Sequence, residues 1–456
     1  MRPSAQPSVA DVERLVSEFF KRRRIPGGAV AVVRAGKVAY AAGHGRANVE
    51  LDVPATAETL FEIGSISKQV TAEAVMQLVQ AGRLSLDAPI AQYVTELPPT
   101  WQGMTVRHLV THTRGLPDWE TQTEFSYRRE YTLDEFVQLL APLPLLFAPG
   151  AQFGYTNSGF PLLGRIVEAV GGRPFEEYVH ERIFAPAGMR DTRFRRPPEV
   201  VLRRAAGYVE RDGRLENGEP LRPRIIAANG GILSSARDMA QWLVALTSGV
   251  VLSPSALQQM TEPIRLNDGR PVGAGVAWFL DAFRGHRVLV HNGSTVAGFS
   301  SVVYHYPDDG LSVVVLMNID RWNAVNVLAT QVGDLFVSGL ATCRLPERPD
   351  PDPQVSGRFR RLLADVAQSR DSELLAPALR NPPGAPRVSP SFGFEGSGGR
   401  FVFLEREERD RAIRERYGQI AITIYRYRLH ADGREICYTF EMDSEGKVAR
   451  FFPEES

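Results

Sequence analysis

The sequence predicts an α+β protein of two domains. An antiparallel sheet flanked by helices is interrupted by a mostly helical insertion and followed by a small C-terminal α+β module. Three observations predict it. Apolar, strand-like runs gather at residues 27–45 and again over 272–320, with only weak strand signals between. The stretch 85–270 mixes helical periodicity with Pro/Gly-rich loops. PERPDPDPQ (346–354) is a Pro- and charge-rich linker that sets off the tail.

The elements follow in order. Val9, Val12, Leu15, Val16, Phe19 and Phe20 form one apolar stripe, predicting a helix over 8–24. GGAVAVVRAGKVAYAAGHG reads as two strands around the Ala35-Gly36 turn. SKQVTAEAVMQLVQAGRL is helical. Late in the domain come VGAGVAWFL, HRVLVHNG, GFSSVVYHYP and GLSVVVLMNID as strands, then the helix NAVNVLATQVGDLFVSGL. Two ends of one domain therefore make a sheet around an insertion. Beyond the linker, FRRLLADVAQ reads as a helix, and FVFLE, QIAITIYRYRLH, EICYTFEMD and KVARFFP read as a strand meander. The boundaries are 1–345 for the main domain, 346–354 for the linker and 355–456 for the tail.

Composition narrows the function. Lys plus Arg (53) equals Asp plus Glu (53), which argues against nucleic-acid or polybasic membrane binding. No apolar run is long enough to span a bilayer, and residues 1–20 lack a secretory pattern, so a cytoplasmic protein is expected. The two cysteines, Cys343 and Cys437, read as free buried thiols. Only four basic residues are lysine: Lys21, Lys37, Lys68 and Lys447. A lysine kept in apolar surroundings offers what arginine cannot, the loss of its proton near neutral pH.

Ser-x-x-Lys occurs twice, at Ser65–Lys68 and Ser444–Lys447. The second lies in Asp443-Ser444-Glu445-Gly446-Lys447, a polar turn between strands. The first opens an apolar helix, where one turn brings Lys68 beneath the Ser65 hydroxyl. A Ser N-cap with a solvated lysine would look the same in isolation. Tyr155-Thr156-Asn157 lies on a loop at a helix start, with a phenol able to exchange protons and an amide able to hold a substrate amide. His291-Asn292-Gly293-Ser294 lies between two strands, and Gly293 permits close backbone approach. No Gly-x-Ser-x-Gly elbow, His-Glu-x-x-His pair, P-loop or dinucleotide fingerprint occurs, so no metal and no cofactor is expected.

In order and spacing, these three elements resemble the serine β-lactamase and penicillin-binding-protein superfamily: class C β-lactamases, D,D-carboxypeptidases, D-aminopeptidases and family VIII carboxylesterases. MTVRHLVTHTRGLPDW, GRPFEEYVHERIFAPAGMRDTRF and AANGGILSSARDMAQWL are similar too, and the resemblance spans residues 10–341. It implies a β-lactamase-like fold with Ser65 as acylated nucleophile. Lys68 and Tyr155 would share the proton transfers, and the Ser65 and Ser294 N–H groups would form the oxyanion hole. Asn157 would orient the substrate, with His291 and Gly293 on the far wall. Two departures stand out. His291 replaces the lysine of class C β-lactamases, and Arg114 occupies a position that is often Ser, placing a cation near the cleft or on its rim.

The expected function is a serine hydrolase acting on esters or amides of small or D-configured acyl groups. A D,D-peptidase or weak β-lactamase is the same-fold alternative, and a catalytically poor binding or scaffold protein the other. The partner is a small-molecule ester or amide, with a homodimer as a further possibility. The tail weakly resembles nuclear-transport-factor-2-like modules, which would make it a lid over the cleft, a dimerisation element or a stabilising appendage. The loops 115–150 and 205–230, where selectivity would lie, carry no recognisable chemistry.

Overall fold

The computed structural model describes all residues except 1–6, 96, 381–387, 389–392, 395–398, 409–414, 417–418, 432 and 456. It divides into two compact units, Met1–Arg270 with Ala274–Phe336, and Val337–Ser456 with Pro271–Gly273.

The first unit is built on a seven-stranded antiparallel sheet. In spatial order its strands are β3 (Val53–Pro54), β2 (Lys37–Asn48), β1 (Gly27–Arg34), then Leu311–Met317, Phe299–Tyr306, His286–Thr295 and Phe279–Phe283. The early hairpin thus pairs directly with the late strands, Val30 opposite Val315, as the strand clusters at the two ends of the domain predict. Both strands at this seam are buried almost throughout, which is why they read as unbroken apolar runs. The helix α1 (Val9–Arg22) starts at a Ser8–Asp11 capping box and packs beside the helix Trp322–Phe336. The helix Ala236–Thr247 packs against β1 and β2.

One predicted strand is shorter than its sequence suggests. Of VGAGVAWFL, only Phe279 and Leu280 are in a strand, which continues to Phe283. Gly275 is pressed against the Met260 carbonyl and Ala277 has φ +54, so the chain bends before pairing begins.

The insertion is mostly helical, as expected, with a small three-stranded sheet of Phe61–Glu62, Ile232–Ser234 and Arg193–Phe194. At its centre runs α2 (Ser67–Gln80), in which every residue from Ser67 to Met76 is buried. Ser65 lies two residues before α2, in the 3₁₀ turn Gly64–Ile66.

Among the described residues the tail unit has one α-helix, Pro353–Ala367, and an antiparallel sheet ordered Arg400–Glu408, Gln419–Ala431, Arg434–Asp443, Val448–Glu455. Its helix begins inside the Pro-rich run, with Asp352 as N-cap and Pro353 in the first turn, where a missing N–H costs nothing. The unit also starts earlier than that run, at Val337. Arg428 donates to the carbonyls of Cys343 and Leu345, and Arg400 pairs with Glu347, which ties 343–347 to the tail sheet.

The expectation of two free thiols is overturned: Cys343 and Cys437 form a disulfide. The turn Thr342–Arg344 lies on the strand Arg434–Asp443, which brings the two Cα atoms to 5.4 Å, within bridging range. A separation of 94 residues hides that proximity in the sequence.

Candidate active site

The turn carrying Ser65 is fixed by backbone contact with the strand His286–Thr295. Gly64 has φ +52, and a Cβ there would lie 2.8 Å from the Ser294 nitrogen. A Cβ on Gly293 would lie 2.0 Å from the Ile63 carbonyl oxygen, so this position admits only glycine. Ser301 Oγ donates to the same carbonyl at 2.8 Å. The Ser294 backbone therefore stands beside the residue preceding Ser65. Its hydroxyl turns away to donate to Asp320 at 2.9 Å.

One helical turn on, Lys68 is wholly buried, with Nζ donating to Ser65 Oγ at 2.9 Å and to the Asn229 carbonyl at 3.0 Å. The rings of Tyr155 and Phe160 lie 5.2 and 5.4 Å from the nitrogen. Burial lowers the lysine to about 7; Glu120 and Asp118 oppose that shift and Arg114 reinforces it. Near neutrality a large share of Lys68 is therefore an unprotonated amine, a base already in contact with a hydroxyl.

Tyr155 hydrogen-bonds Ser65, but burial dominates and pushes its phenol above the ordinary value. The phenol is a proton donor at neutral pH, which divides the shared labour: Lys68 is suited to accept, Tyr155 to donate. Its ring stacks on His112 at 4.4 Å and neighbours His291 at 6.0 Å. His112 has φ +58, a left-handed backbone unusual for this residue, and burial with nearby cations holds it well below its usual pKa.

Asn157 donates through Nδ2 to Glu120 at 3.0 Å, while its Oδ1 is left without a partner. That oxygen is the group suited to a substrate N–H. His291 is buried and donates through Nδ1 to the Asn292 carbonyl at 2.7 Å. It packs against Tyr155 and Phe279.

Arg114 lies near the cleft, buried rather than on its rim. It is 1% exposed and donates to the Thr156 carbonyl at 2.7 Å and to Thr156 Oγ1, behind the Tyr155–Asn157 loop.

Two participants went unassigned in the sequence. Asn229 supplies the carbonyl that holds Lys68, and its amide donates to Glu120 at 3.1 Å. Glu120 also accepts from Asn157 and from the Tyr127 hydroxyl at 2.5 Å, so it knits three segments together. Asn229 lies within the quoted AANGGILSS segment, and Asp118-Trp119-Glu120 is a closely spaced carboxylate pair, so both had a visible signal. Among the described residues, the potential metal-ligand cluster Cys343, Glu435 and Cys437 lies in the tail, and its two sulfurs are bonded to each other.

Comparison with known proteins places this geometry in context. The family described as Beta-lactamase matches residues 12–336. The chain is similar to penicillin-binding protein 4* of Bacillus subtilis (28% identity, covering 71% of this chain and 74% of that one). It is similar to a D-aminopeptidase of Gluconobacter oxydans (30%, covering 75% and 64%) and to esterase EstB of Burkholderia gladioli (33%, covering 41% and 51%). The chain thus spans less than two thirds of the latter two. A penicillin-binding protein from Bacillus halodurans superposes with TM-score 0.59 at 28% identity, over 68% of this chain and 96% of its own. An octameric penicillin-binding protein homologue from Pyrococcus abyssi gives 0.62 at 23% identity, covering 96% and 97%, a likeness of fold.

Proposed function

Because the chain belongs to the β-lactamase family, we propose that it is a serine hydrolase that forms an acyl-enzyme on Ser65 and hydrolyses esters or amides of small or D-configured acyl groups. The observation that carries this is the fully buried Lys68 amine 2.9 Å from the Ser65 hydroxyl. A serine hydroxyl is a weak nucleophile until a base of suitable pKa lies within hydrogen-bond reach, and this pair meets that condition.

In the proposed cycle Lys68 takes the Ser65 proton as Oγ attacks the carbonyl carbon. The N–H groups of Ser65 and Ser294 receive the developing oxyanion. The Tyr155 phenol protonates the leaving alkoxide or amine, and Lys68 returns a proton to the relay. Water then attacks the acyl-enzyme, with the same groups acting in reverse. Asn157 Oδ1 accepts from the substrate, and His291 walls the cleft behind Tyr155. Relatives named as esterase, D-aminopeptidase and penicillin-binding protein all fit acyl transfer.

A D,D-peptidase or weak β-lactamase uses the same chemistry. Against efficient lactamase action stands His291, which is not a fixed cation for a lactam carboxylate. Two tests apply: a fluorophosphonate probe against wild type and Ser65→Ala, and turnover of p-nitrophenyl esters, D-aminoacyl amides and nitrocefin. Labelling that is absent, or equal in the two proteins, would sink the hydrolase reading in favour of a binding protein.

Among the described residues no helix is long and apolar enough to cross a membrane. Cytoplasmic residence, expected from the N-terminal residues, meets a counter-argument in the Cys343–Cys437 disulfide, since such bonds persist mainly in oxidising compartments. Thiol labelling in intact cells distinguishes the two. Assembly as a homodimer is checked by light scattering.

A further inference from the structure

Arg114 is a buried cation that the cycle above does not use. Every hydrogen bond described for it goes to a neutral acceptor: Leu109 O, His112 Nδ1, Thr156 O and Thr156 Oγ1. Burying a charge on such terms is unfavourable, so the position calls for a compensating use. Burial lowers its pKa, the Asp118 carboxylate and Tyr155 offset only part of that shift, and the result, about 10, leaves it protonated at neutral pH. The gripped residue, Thr156, stands between Tyr155, which meets Ser65, and Asn157, which meets Glu120. Gly159, at the start of the following helix, admits the guanidinium: a Cβ there would lie 2.8 Å from Nε.

We propose that Arg114 is a positioning residue. From behind the cleft it fixes Tyr155 and Asn157 through the Thr156 backbone, and it holds a permanent positive charge close to Lys68 and Tyr155. The inference rests on the acyl-serine reading of the site.

The charge acts on a crowded neighbourhood. Lys68 is faced by Asp118 and Glu120 from the turn around Trp119, by His112 and Arg114 from the preceding loop, and by Tyr155. The Asn229 carbonyl comes from the helix Ala227–Gly230, and His291 lies beyond Tyr155 and is felt at His112. The two carboxylates favour the ammonium form of Lys68, and Arg114 opposes them. The same cation favours negative charge on the Tyr155 oxygen as it gives up its proton.

The test compares Arg114→Met and Arg114→Lys in the full chain on p-nitrophenyl butyrate, with active sites counted by fluorophosphonate labelling and folding followed by Tm. Arg114→Met is expected to lower kcat per labelled site by about 10- to 100-fold, to leave KM within about threefold, and to move the rising limb of kcat/KM to higher pH. Arg114→Lys keeps the charge but loses the second nitrogen, Nη1, which meets Leu109 O and His112 Nδ1 while Nη2 holds Thr156. It should hold the limb near wild type while still losing about tenfold in kcat. Wild-type kcat per labelled site and an unmoved limb in Arg114→Met, with only Tm or the labelled fraction reduced, would overturn the proposal. If Arg114→Met does not fold, wild-type kcat in Arg114→Lys overturns it instead. Failure of the unmodified protein to label overturns the acyl-serine reading, and the role of Arg114 falls with it.

Discussion

Two Ser-x-x-Lys segments in this chain meet opposite fates. Lys68 follows Ser65 by one helical turn, is fully buried, and points its amine at the serine oxygen. Lys447 follows an exposed Ser444 in a tight turn, where its backbone N–H and that of Glu445 donate to Asp443 and its amine donates to the Glu373 carbonyl. The Ser and the Lys of the pattern are shared; the helix and the burial are not. Chemistry comes from the second pair of properties, because only a desolvated lysine has reason to shed its proton.

The largest expected effect comes from the serines. Ser65→Ala should lower turnover by at least about 10⁴-fold and abolish fluorophosphonate labelling, while Ser444→Ala changes neither. Equal losses in both variants would erase the distinction.

Next come the lysines. Activity should rise with pH through about 7 as Lys68 loses its proton. Lys68→Arg keeps a charge that cannot be shed, so it should lose about 10²- to 10⁴-fold and the limb with it. Lys447→Arg should leave the pH profile unaltered. A limb that survives in Lys68→Arg assigns the titration elsewhere.

The same burial acts with opposite sign on a carboxyl of the same helix. Glu73 is held by the Trp242 indole N–H at 2.8 Å, and burial raises it from 4.5 to about 8. Between those values the native chain keeps a proton that the unfolded chain has lost, so stability falls as pH rises from 4.5 to 8. The fall is about 3–5 kcal/mol. Glu73→Gln, which can still accept from Trp242, should remove most of it, read as Tm against pH. Glu445→Gln, in the exposed tail turn, should leave the curve as it was.

The smallest effect separates the units rather than the motifs. Cys343→Ser opens the disulfide and should cost about 2–4 kcal/mol, confined to the unfolding of Val337–Ser456. Calorimetry should show the tail transition moving and activity per labelled site unchanged.

The sheet seam was legible because β1 and Leu311–Met317 are buried almost throughout and hence nearly uninterrupted in apolar character. Ser65, Lys68, Tyr155 and Asn157 were legible because motif and local context coincide at each. Arg114 was visible as an oddity, but its direction was not: only packing could turn it onto Thr156. Glu120 and Asn229 each stood in a visible segment, but the contact that joins them spans 109 positions and no local pattern encodes it. The disulfide escaped for the same reason, and the tail helix began early because Asp352 and Pro353 suit a helix start as well as a linker.

The pairing of Val30 with Val315 also sets a timetable for synthesis. At about 5–20 residues per second, β1 emerges on the order of 15–60 s before the strand that completes it. In that interval the run Ala29-Val30-Ala31-Val32-Val33 has β2 on one side and an unpaired edge on the other. Such an edge is a template for pairing with other chains. Yield of folded protein in the cell should therefore depend on translation speed across the insertion and on holding chaperones, more steeply than its final stability would suggest.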